Sequence, residues 1–417
     1  MLKVESFDII VIGGGAAGML AACVAAENGA HVLLLEQNDR LGKKLCITGK
    51  GRCNLTNDCS VAEVLENIPT GGQFLHSAIN GFKPSDVMTF FKNIGIALKT
   101  ERGARVFPQS DKASDVIDAL QRHMNNVGVH FKQGRVLALL TDNGRIRYVK
   151  LYDSKIETSS VILATGGMSY PVTGSTGDGY KMAKELGHRI TPLRGSLIPL
   201  VAESELCARM QGLTLKNVRL SVYDGNKKPA FEDFGELLFT HFGISGPLAL
   251  SASAHMRDFT NKKYYVNIDL KPALDENKLD LRILRDFEKY SNRDFSNALN
   301  DLLSRMIIPI IVEKSGIPAR MKPHSISREQ RLGLGRLLKA FRIDIDGPRP
   351  IEEAIITSGG VDLKEVNPKT MESKLVKGLY FAGEILDADA YTGGFNLQIA
   401  WSTAYAAAQG IRNSEFL

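Results

Sequence analysis

Cysteine is scarce in this sequence, with five residues spread over 417 positions. They are Cys23, Cys46, Cys53, Cys59 and Cys207, and no two of them form a CxxC pair. Cysteines so few and so scattered exclude a disulfide-built scaffold, and without CxxC pairs a zinc ribbon is not expected. We therefore predict that the protein binds no metal.

Long apolar runs are also lacking, since no stretch reaches the ~18 apolar residues that a membrane span requires. The first five residues, MLKVE, do not have the basic-then-apolar order of a signal peptide. Lys and Arg number 52 against 46 Asp and Glu, and a net charge of +6 does not support nucleic-acid binding. These features predict a soluble cytoplasmic protein with neither a membrane nor a nucleic acid as its partner.

Glycine, in contrast, is abundant. The 39 glycines are about 9% of the chain against a usual ~7%, which indicates tight turns or a backbone that closely approaches a ligand. Hydrophobic residues at 44% and charged residues at 24% are ordinary globular values and exclude a disordered or fibrous chain. The length corresponds to two or three domains.

The first 36 residues predict a βαβ unit that binds a dinucleotide. A buried strand over 7–12 runs into Gly13–Gly18, which fits GxGxxG and opens a helix. In this motif the first glycine permits a tight turn, the second lets a pyrophosphate approach, and the third allows helix and strand to pack closely. Phosphates would lie at the helix N-terminus, and Glu36, which ends the second strand, would accept hydrogen bonds from ribose hydroxyls.

The rest of the chain predicts an interrupted α/β domain. Short apolar segments between 197 and 239 are typical of a small β-rich module, and the charged stretches that follow have helical periodicity. Strand-like runs return after Pro350, and an amphipathic helix begins at about Asn396. We expect one α/β domain, built from both ends of the chain, with a module inserted into it.

A second glycine segment, near the C-terminus, indicates which dinucleotide binds. Gly383 and Glu384 end a strand-like run and Asp387 follows, which is the layout of flavoproteins whose FAD spans the domain. Taken alone, this segment could also be a turn that closes a strand. No second GxGxxG follows a strand, which counts against a permanent NAD(P)H domain but not against transient nicotinamide binding.

The segment 41–57 is rich in glycine and basic residues. Lys44, Arg52 and backbone N–H groups could complete a phosphate cradle, and Thr48 and Asn54 could bond the ribityl chain or the flavin edge. The alternative is a solvated basic loop.

Two cysteines of this segment raise a separate question. Cys46 and Cys53 lie where disulfide reductases of the related fold carry a redox dithiol. Their spacing does not match such a dithiol, so we expect ordinary free thiols rather than a redox disulfide.

Five stretches together resemble the BaiN-like NAD(P)/FAD-dependent flavoprotein oxidoreductases, a family also labelled aminoacetone-oxidase-like. The hallmark is GKGRCNLTN over 49–57. The others are ATGGMSYP over 164–171 with GSTGDG over 174–179, LFTHFGISGP over 238–247, TSGGV over 357–361, and FAGEILD over 381–387 with TGGFNLQ over 392–398. They follow one another along almost the whole chain, which makes the resemblance specific.

The resemblance implies an enzyme with a Rossmann-like FAD-binding domain of the glutathione-reductase type, split by an inserted β-barrel and a small helical module. We expect the FAD-binding domain over 1–190 plus 350–417, the barrel over 191–270 plus 325–349, and the helical insert over 271–324. The cofactor implied is FAD, with NAD(P)H as a transient reductant.

Carried over position by position, the resemblance also implies a set of FAD contacts. They are Gly13, Gly15, Ala16, Ala17, Gly18, Glu36, Gln37, Lys44, Thr48, Gly51, Arg52, Cys53, Asn54, Val136, Ala164, Thr165, Gly166, Gly383, Glu384, Asp387, Gly394, Asn396, Leu397 and Gln398. Asn396 opens the last helix, whose N-terminus would stabilise negative charge on the reduced flavin.

The catalytic residues are left open. Tyr170, His241 and Tyr391 are candidates because each lies in a glycine-flanked motif near a predicted domain junction. His241 suits a general acid or base near neutral pH. A structural histidine bonded to backbone, and tyrosines that merely pack, are equal alternatives.

Three functions compete at this stage. The first is an NAD(P)H-dependent reductase of a small unsaturated or carbonyl compound, and the second is an oxidase of a small amine that uses oxygen. The third is a flavoprotein that binds RNA or a protein partner, supported only by the basic segment 319–342. Such a segment is usually a solvated helix face and gives little support to an RNA or protein partner, so we expect a small-molecule substrate. The sequence leaves the oligomeric state open.

Overall fold

The structure, a computed structural model, describes residues 6–415, which form two compact units. The first unit runs up to Ser196 and resumes at Ile351, and the second is Leu197–Pro350. Residues 1–5, on which the expected lack of a signal peptide rests, lie outside the described part of the chain. Within residues 6–415, no helix has both the length and the apolar character to cross a lipid bilayer.

The first unit begins with the predicted βαβ arrangement. β1 (Ser6–Ile12) leads through the glycine turn into α1 (Ala16–Glu27), and the chain returns as β2 (Val32–Glu36), parallel to β1. All of β2 is buried, as a strand inside a parallel sheet must be. α1 is buried from Ala17 to Ala25, and its small side chains allow it to lie close to its neighbours.

Further helices and strands complete this part of the first unit. They are α2 (Lys43–Gly51), β3 (Thr56–Asn57), α3 (Val61–Glu66), α4 (Gly72–Gly81), α5 (Pro84–Asn93), β4 (Leu98–Glu101), β5 (Arg105–Pro108), α6 (Ala113–Asn126), β6 (His130–Gln133), β7 (Ala138–Asp142), β8 (Arg145–Lys150), β9 (Lys155–Leu163), α7 (Asp178–Glu185) and β10 (Arg194–Ser196). β3, β5 and β4 form a small antiparallel sheet. The main sheet has the order β6-β2-β1-β9-β8-β7, parallel as far as β9 and antiparallel beyond it.

The second unit is a closed barrel with helices. Its elements are β11 (Leu200–Ala202), α8 (Ser204–Ala208), β12 (Thr214–Tyr223), β13 (Phe231–Thr240), β14 (Gly243–Ser245), α9 (Gly246–Ser253), β15 (Tyr264–Asp269), α10 (Glu276–Lys289), α11 (Phe295–Ala298), α12 (Ile308–Ser315), α13 (Arg328–Lys339) and β16 (Phe341–Pro348). Six antiparallel strands close in the order β11-β14-β13-β12-β15-β16. Along β15, buried and partly exposed residues alternate, and the helices share one hydrophobic core with the barrel.

The chain then returns to the first unit as β17 (Ile356–Ser358), β18 (Leu379–Phe381) and α14 (Phe395–Glu415). β18 pairs in parallel with β9 and so completes the seven-stranded main sheet, while β17 pairs with β10. The main sheet is therefore built from both ends of the chain, and the predicted fold class, a Rossmann-like domain split by a barrel, is confirmed. The carboxyl ends of β1, β2, β9 and β18 meet at one edge, where doubly wound folds bind their ligands.

Candidate cofactor and active site

The glycine turn after β1 has the geometry that the GxGxxG pattern predicts. Gly13 has a φ of +106°, and a Cβ there would lie 2.4 Å from the carbonyl oxygen of Ala164. A Cβ at Gly18 would lie 1.8 Å from the carbonyl oxygen of Gly13, so neither position admits a side chain. A Cβ at Gly15 would meet nothing within 4 Å. The first and third glycines thus allow strand and helix to pack, and the second leaves space for a ligand.

A cavity whose empty space, together with the adjoining open solvent, is about 1360 Å³ lies at this edge of the sheet. Its walls come from the glycine turn, the end of β2, α2, the segments after β9 and β18, and the first turn of α14. All of these parts belong to the first unit. The N-terminus of α1 opens into the cavity, and a helix N-terminus offers unpaired N–H groups to an anion.

Glu36 lies at one end of this cavity and is held in a defined orientation. Its Oε2 accepts a hydrogen bond from the backbone N of Gly14 at 2.6 Å, and its Oε1 accepts two from Asn38, at 2.8 and 2.7 Å. The neighbouring Gln37 donates to the carbonyl of Gly174 at 2.7 Å. A carboxylate has about four acceptor positions, so one position of Glu36 is left for a sugar hydroxyl.

Lys44 and Glu384 form an ion pair in another wall. The Lys44 Nζ lies 2.6 Å from Glu384 Oε2 and 2.7 Å from Ser169 Oγ. Glu384 Oε1 accepts further hydrogen bonds from Ser169 Oγ at 3.2 Å and from the backbone N of Thr357 at 2.8 Å. Glu384 therefore joins α2, the segment after β9 and the start of β17.

Tyr180 supports the same segment from within the domain. Its hydroxyl donates to the carbonyl oxygen of Glu384 at 3.2 Å. Burial, and then the negative charges of Glu384 and Asp387, raise the pKa of Tyr180 well above its usual value. The phenol consequently keeps the proton that this hydrogen bond requires.

The first turn of α14 contributes Asn396 and Leu397 to the cavity wall. Asn396 is a wall residue, but its side chain bonds the loop before the helix: it accepts from Ala390 N at 2.9 Å and donates to the carbonyls of Ala390 and Tyr391 at 2.7 and 3.3 Å. The first N–H groups of a helix have no partner within it, so they remain available to a ligand.

Gln398, which was predicted to touch FAD, is a structural residue in this fold. It is completely buried, accepts a hydrogen bond from Thr56 Oγ1 at 2.5 Å, and donates to the Phe82 carbonyl at 2.8 Å and to Ser402 Oγ at 2.9 Å. These bonds tie α14 to β3 and to the end of α4. Both N–H groups of the amide are used by these bonds, and Gln398 does not line the cavity.

Only part of the glycine-rich basic segment lines the cavity. Thr48 lines the cavity where α2 is kinked, with non-helical backbone at Thr48, Gly49 and Lys50. Arg52, the predicted phosphate ligand, pairs with Glu101 and Asp111 instead, and its guanidinium carbon lies 4.1 Å from the centre of the Phe107 ring. The two carboxylates and the ring hold Arg52 away from the cavity.

The cysteines of this segment are both free thiols, but their surroundings differ. Cys46 is exposed, whereas Cys53 is fully buried. Burial is the main cause that raises the pKa of Cys53 to about 12. A thiol that stays protonated and buried is a poor nucleophile, which agrees with the expectation of ordinary thiols.

Most of the residues predicted to contact FAD line the cavity. Those in the wall are Gly13, Gly15, Ala16, Ala17, Glu36, Gln37, Lys44, Thr48, Val136, Ala164, Thr165, Gly166, Gly383, Glu384, Asn396 and Leu397. Those that the structure does not bring to the wall are Gly18, Gly51, Arg52, Cys53, Asn54, Asp387, Gly394 and Gln398. Gly18 is one of these, and it acts indirectly because its lack of a side chain lets α1 pack against the glycine turn that lines the cavity.

Sequence reasoning missed a group of wall residues. They are Ile12, Gly14, Leu35, Asn38, Arg40, Gly42, Lys43, Leu45, Gly134, Arg135, Thr173, Gly174, Ser175, Thr176, Asp178, Met182, Ile355, Ile356, Ala382, Ala388, Ile399 and Ala400. Part of the signal was present, because the stretch over 174–179 is one of the family motifs and Ile355 and Ile356 lie in a strand-like run after Pro350. Neither pattern by itself indicates contact with a ligand.

None of the three catalytic candidates lies in the cavity wall. Tyr170 follows the segment after β9 with a left-handed backbone, φ +52°, and its N–H donates to the carbonyl of Glu352. Tyr391 lies in the loop before α14, where its N–H donates to the carbonyl of Asn67. His241 belongs to the second unit, between β13 and β14, and its ring contacts that of Phe242 edge-on.

The chemistry of the cavity fits a flavin dinucleotide. Its walls combine an oriented carboxylate, a glycine turn open at Gly15 and two helix N-termini, at α1 and α14. A Cβ at Gly15 would meet no protein atom within 4 Å, so a pyrophosphate could approach the backbone there. Among residues 6–415 no group of His, Cys, Asp and Glu is arranged to hold a metal ion.

Comparison with known proteins identifies the family. The model of the HI0933-like protein Rossmann domain matches residues 7–410. The chain is 30% identical to the 3-dehydro-bile acid delta(4,6)-reductase of Clostridium scindens, over 95% of this chain and 97% of the relative. It is also 30% identical to the ribosomal RNA dihydrouridine synthase of Escherichia coli, over 98% of each chain.

Solved structures give the same picture of the fold. A 3-ketosteroid-Δ4-(5α)-dehydrogenase from Rhodococcus jostii superposes with a TM-score of 0.50 at 15% identity, covering 97% of both chains. A flavocytochrome c3 fumarate reductase also gives 0.50, at 18% identity, covering 98% of this chain and 78% of that one. The family resemblance drawn from the motifs is therefore confirmed: the chain belongs to the HI0933-like Rossmann family, that of the BaiN-like flavoprotein oxidoreductases.

Proposed function

We propose that this protein is an FAD-dependent reductase that adds hydrogen across a carbon–carbon double bond conjugated with a carbonyl group. The observation that carries the proposal is the cavity, in which an oriented carboxylate, an open glycine turn and a helix N-terminus line one continuous space. These are the parts that a dinucleotide cofactor requires. The cofactor would supply hydride transfer, and the protein would bind and orient it.

The reaction class is supported by what two relatives have in common. A Δ4,6-reductase of a 3-dehydro bile acid acts on double bonds conjugated with the ketone at C3 of the steroid. A dihydrouridine synthase reduces the 5,6 bond of uracil, which is conjugated with the carbonyl at C4. Both reactions add one hydride and one proton across a conjugated double bond. Since this chain is 30% identical to each relative, the shared reaction is better supported than either substrate.

The wall residues divide the work of binding. Glu36 would accept a hydrogen bond from a ribose hydroxyl, and the N–H groups that begin α1 would bind the pyrophosphate. The N–H groups of the first turn of α14 would stabilise the negative charge that reduction places on the cofactor. Lys44 adds a positive charge to the wall, and its ion pair with Glu384 fixes where that charge lies.

The proposed reductant is NADH or NADPH, bound transiently. This fits a sequence with a single GxGxxG motif that follows a strand. An oxidase of a small amine is the alternative, and the test below separates the two. The identity of the nicotinamide is an outcome of the same test.

Ribosomal RNA is a second candidate substrate. Relatives from Escherichia coli and Haemophilus influenzae are named ribosomal RNA dihydrouridine synthases, and each matches this chain over 98% of its own length. The basic segment 319–342 gives this candidate little support. Four of its side chains are in ion pairs, namely Lys322 with Asp294, Arg331 with Asp280, Lys339 with Asp269 and Arg342 with Asp344. A paired cation has less charge to offer to a phosphate.

The test begins with an anaerobic titration of the purified yellow protein with NADH and NADPH, followed by flavin absorbance. Bleaching by either nucleotide supports a reductase. If neither nucleotide bleaches the flavin, while dithionite does, the reductase proposal is contradicted and amines become the next compounds to test.

The second step uses the reduced protein without oxygen. A 3-oxo-Δ4 steroid and an unmodified ribosomal RNA fragment are added in separate experiments, and the return of flavin absorbance is followed together with product mass. A gain of two hydrogens in either compound identifies the substrate type. Reoxidation by oxygen alone, with no reaction of either conjugated compound, would contradict the proposed reaction class.

A further inference from the structure

A buried carboxylate outside the cavity connects parts of the chain that the proposed reaction does not use. The Asp389 side chain is completely buried, and its Oδ2 accepts a hydrogen bond from Ser196 Oγ at 2.7 Å. Its Oδ1 accepts another from Ser358 Oγ at 2.9 Å. Both serines are buried as well, and Asp389 is not a wall residue of the cavity.

The two serines lie on the strands by which the chain leaves and re-enters the first unit. β10 ends at Ser196, the last residue before the second unit, and β17 begins shortly after the first unit resumes at Ile351. The strands pair antiparallel, with Ser196 opposite Ile356. Both covalent connections to the inserted unit therefore pass through this two-stranded ribbon, β10–β17.

Asp389 also belongs to a segment that borders the cavity. Its neighbour Ala388 is a wall residue, and the next residue, Ala390, is held by the Asn396 side chain at the first turn of α14. The backbone N of Asp389 donates to the carbonyl of Thr70 at 3.3 Å. On the ribbon side, Ile356 is a wall residue too. Asp389 thus links the wall segment before α14 to the wall residue on β17.

A buried carboxylate requires hydrogen-bond donors, because without them nothing compensates the free energy lost when water is removed from it. Here each oxygen has a donor from a different strand of the ribbon. If the ribbon moved relative to the segment before α14, these donors would be lost while the carboxylate stayed buried. The ribbon and this wall of the cavity are therefore expected to move together or not at all.

We propose that Asp389 is a positioning residue that couples the cofactor cavity to the two connections of the inserted unit. Ligand binding in the cavity then stabilises the ribbon against opening. Because linkage is reciprocal, opening of the ribbon lowers the affinity for the ligand by the same factor by which the ligand disfavours opening. The coupling rests on the proposed FAD site but does not depend on which substrate is reduced.

The test is hydrogen–deuterium exchange of the whole protein, with and without FAD, read in peptides that cover 190–200 and 351–360. In the natural protein FAD should slow exchange in both ribbon peptides and leave a β12 peptide over 214–223 unchanged. In Asp389→Ala the FAD effect should disappear from the 190–200 peptide, which contains no wall residue, and remain in the 351–360 peptide, which contains the wall residues Ile355 and Ile356. The variant's dissociation constant for FAD, from flavin fluorescence, should rise about 5- to 20-fold, within the usual range of coupling.

Three further variants make the test specific. The double variant Ser196→Ala/Ser358→Ala should reproduce Asp389→Ala, since both remove the same two bonds. Ser358→Ala alone, with one bond lost, keeps the test available if Asp389→Ala does not fold. Asp286→Asn, at a buried carboxylate paired with Arg282 in α10, should lower stability without changing the FAD effect on the ribbon.

Three negative results have different meanings. If the natural protein binds FAD and exchange in the 190–200 peptide does not change, the coupling is wrong and the FAD site stands. If the natural protein does not bind FAD, the proposed function itself fails. An Asp389→Ala protein that keeps the FAD effect on the 190–200 peptide would also overturn the coupling.

Discussion

Lys44 and Glu384 lie 340 positions apart in the chain, and their charged groups meet at 2.6 Å in the wall of the cavity. Their side chains are 21% and 14% exposed, so water screens the pair only in part. Lys44 comes from the first turn of α2, and Glu384 from the segment after β18. The pair therefore holds a positive charge at a defined place between the two ends of the chain.

Lys44→Met is expected to weaken FAD binding about tenfold, which corresponds to ~1.4 kcal/mol. The substitution removes a cation from the cavity and leaves Glu384 with only its neutral donors, Ser169 Oγ and Thr357 N. Titration of the apoprotein with FAD, followed by flavin fluorescence, gives the dissociation constant. Lys92→Met, at an exposed position on α5 away from the wall, is the matched control. Equal affinities in the two variants would refute a role for the Lys44 charge.

Gly15→Val should produce a folded protein that does not bind FAD. Gly15 has φ −83°, which valine can adopt, and a Cβ there meets no protein atom within 4 Å, so the side chain would project into the cavity. Circular dichroism of the purified variant checks that it folds, and its flavin content checks that it does not bind FAD. Gly13→Val is the contrast, because its Cβ would lie 2.4 Å from the Ala164 carbonyl and should prevent folding. A yellow Gly15→Val protein with one flavin per chain would disprove the location of the site.

Gln398→Leu should lower stability without a comparable change in FAD affinity. The substitution leaves the buried Thr56 hydroxyl without its acceptor, while the Phe82 carbonyl keeps the hydrogen bond from Ser402 Oγ. The cost of such an unpaired hydroxyl is about 1–3 kcal/mol. Urea unfolding at neutral pH measures the free energy of unfolding, and flavin fluorescence measures the affinity for FAD. A loss of FAD binding at unchanged stability would return Gln398 to the list of cofactor ligands.

Acid should destabilise the protein partly through His188. This side chain is buried between Glu365, 3.1 Å from Nδ1, and Ser373, 2.8 Å from Nε2. Burial lowers the pKa of His188 below its ordinary value of 6.5, and the Glu365 charge opposes this only in part. Because the folded state holds fewer protons than the unfolded state, the stabilising contribution is complete above pH 6.5 and is lost as the pH falls below that value.

The measurement is the free energy of unfolding in urea between pH 5 and pH 8, for the natural protein and His188→Gln. The natural protein should lose more stability on acidification than the variant does. The variant should be less stable at pH 8, where both proteins carry a neutral group at this position. Parallel pH profiles for the two proteins would show that His188 does not titrate in this range.

Alkylation should distinguish the two cysteines of the glycine-rich segment. Cys46 is exposed, whereas Cys53 is buried with its pKa raised to about 12, so iodoacetamide at pH 8 should label Cys46 and spare Cys53 until the protein unfolds. Peptide mass spectrometry gives the labelling of each residue. Cys46→Ser should leave the NADPH-dependent bleaching of the flavin unchanged. If that variant lost bleaching, a redox role for these thiols would have to be considered again.

Local patterns in the sequence were sufficient for the parts of the site that a single segment forms. The glycine turn and Glu36 lie within 24 residues of each other, and their roles follow from backbone sterics and from the helix N-terminus. The final helix, as an amphipathic pattern from about Asn396, and the strand before Gly383, as a strand-like run, were equally visible in the sequence. Even so, the pattern could not show that the Asn396 side chain is occupied by the loop before α14.

Arg52 and Gln398 show what such patterns cannot reveal. A basic residue in a glycine-rich segment has the pattern of a phosphate ligand. In the folded protein, however, Arg52 forms ion pairs with Glu101 and Asp111, which come from other parts of the chain. An amide in the first turn of a helix looks like a flavin ligand, yet Thr56 and Phe82 surround it in the folded domain.

The sequence by itself determined the fold class, the family and the glycine turn with its carboxylate, because these depend on periodicity and on spacing along the chain. Tertiary structure alone decided which charged and polar groups remain available to a ligand. Hydrogen bonds and ion pairs act over about 3 Å, and the partners of Lys44, Arg52 and Asp389 are brought within that range only when distant segments pack together.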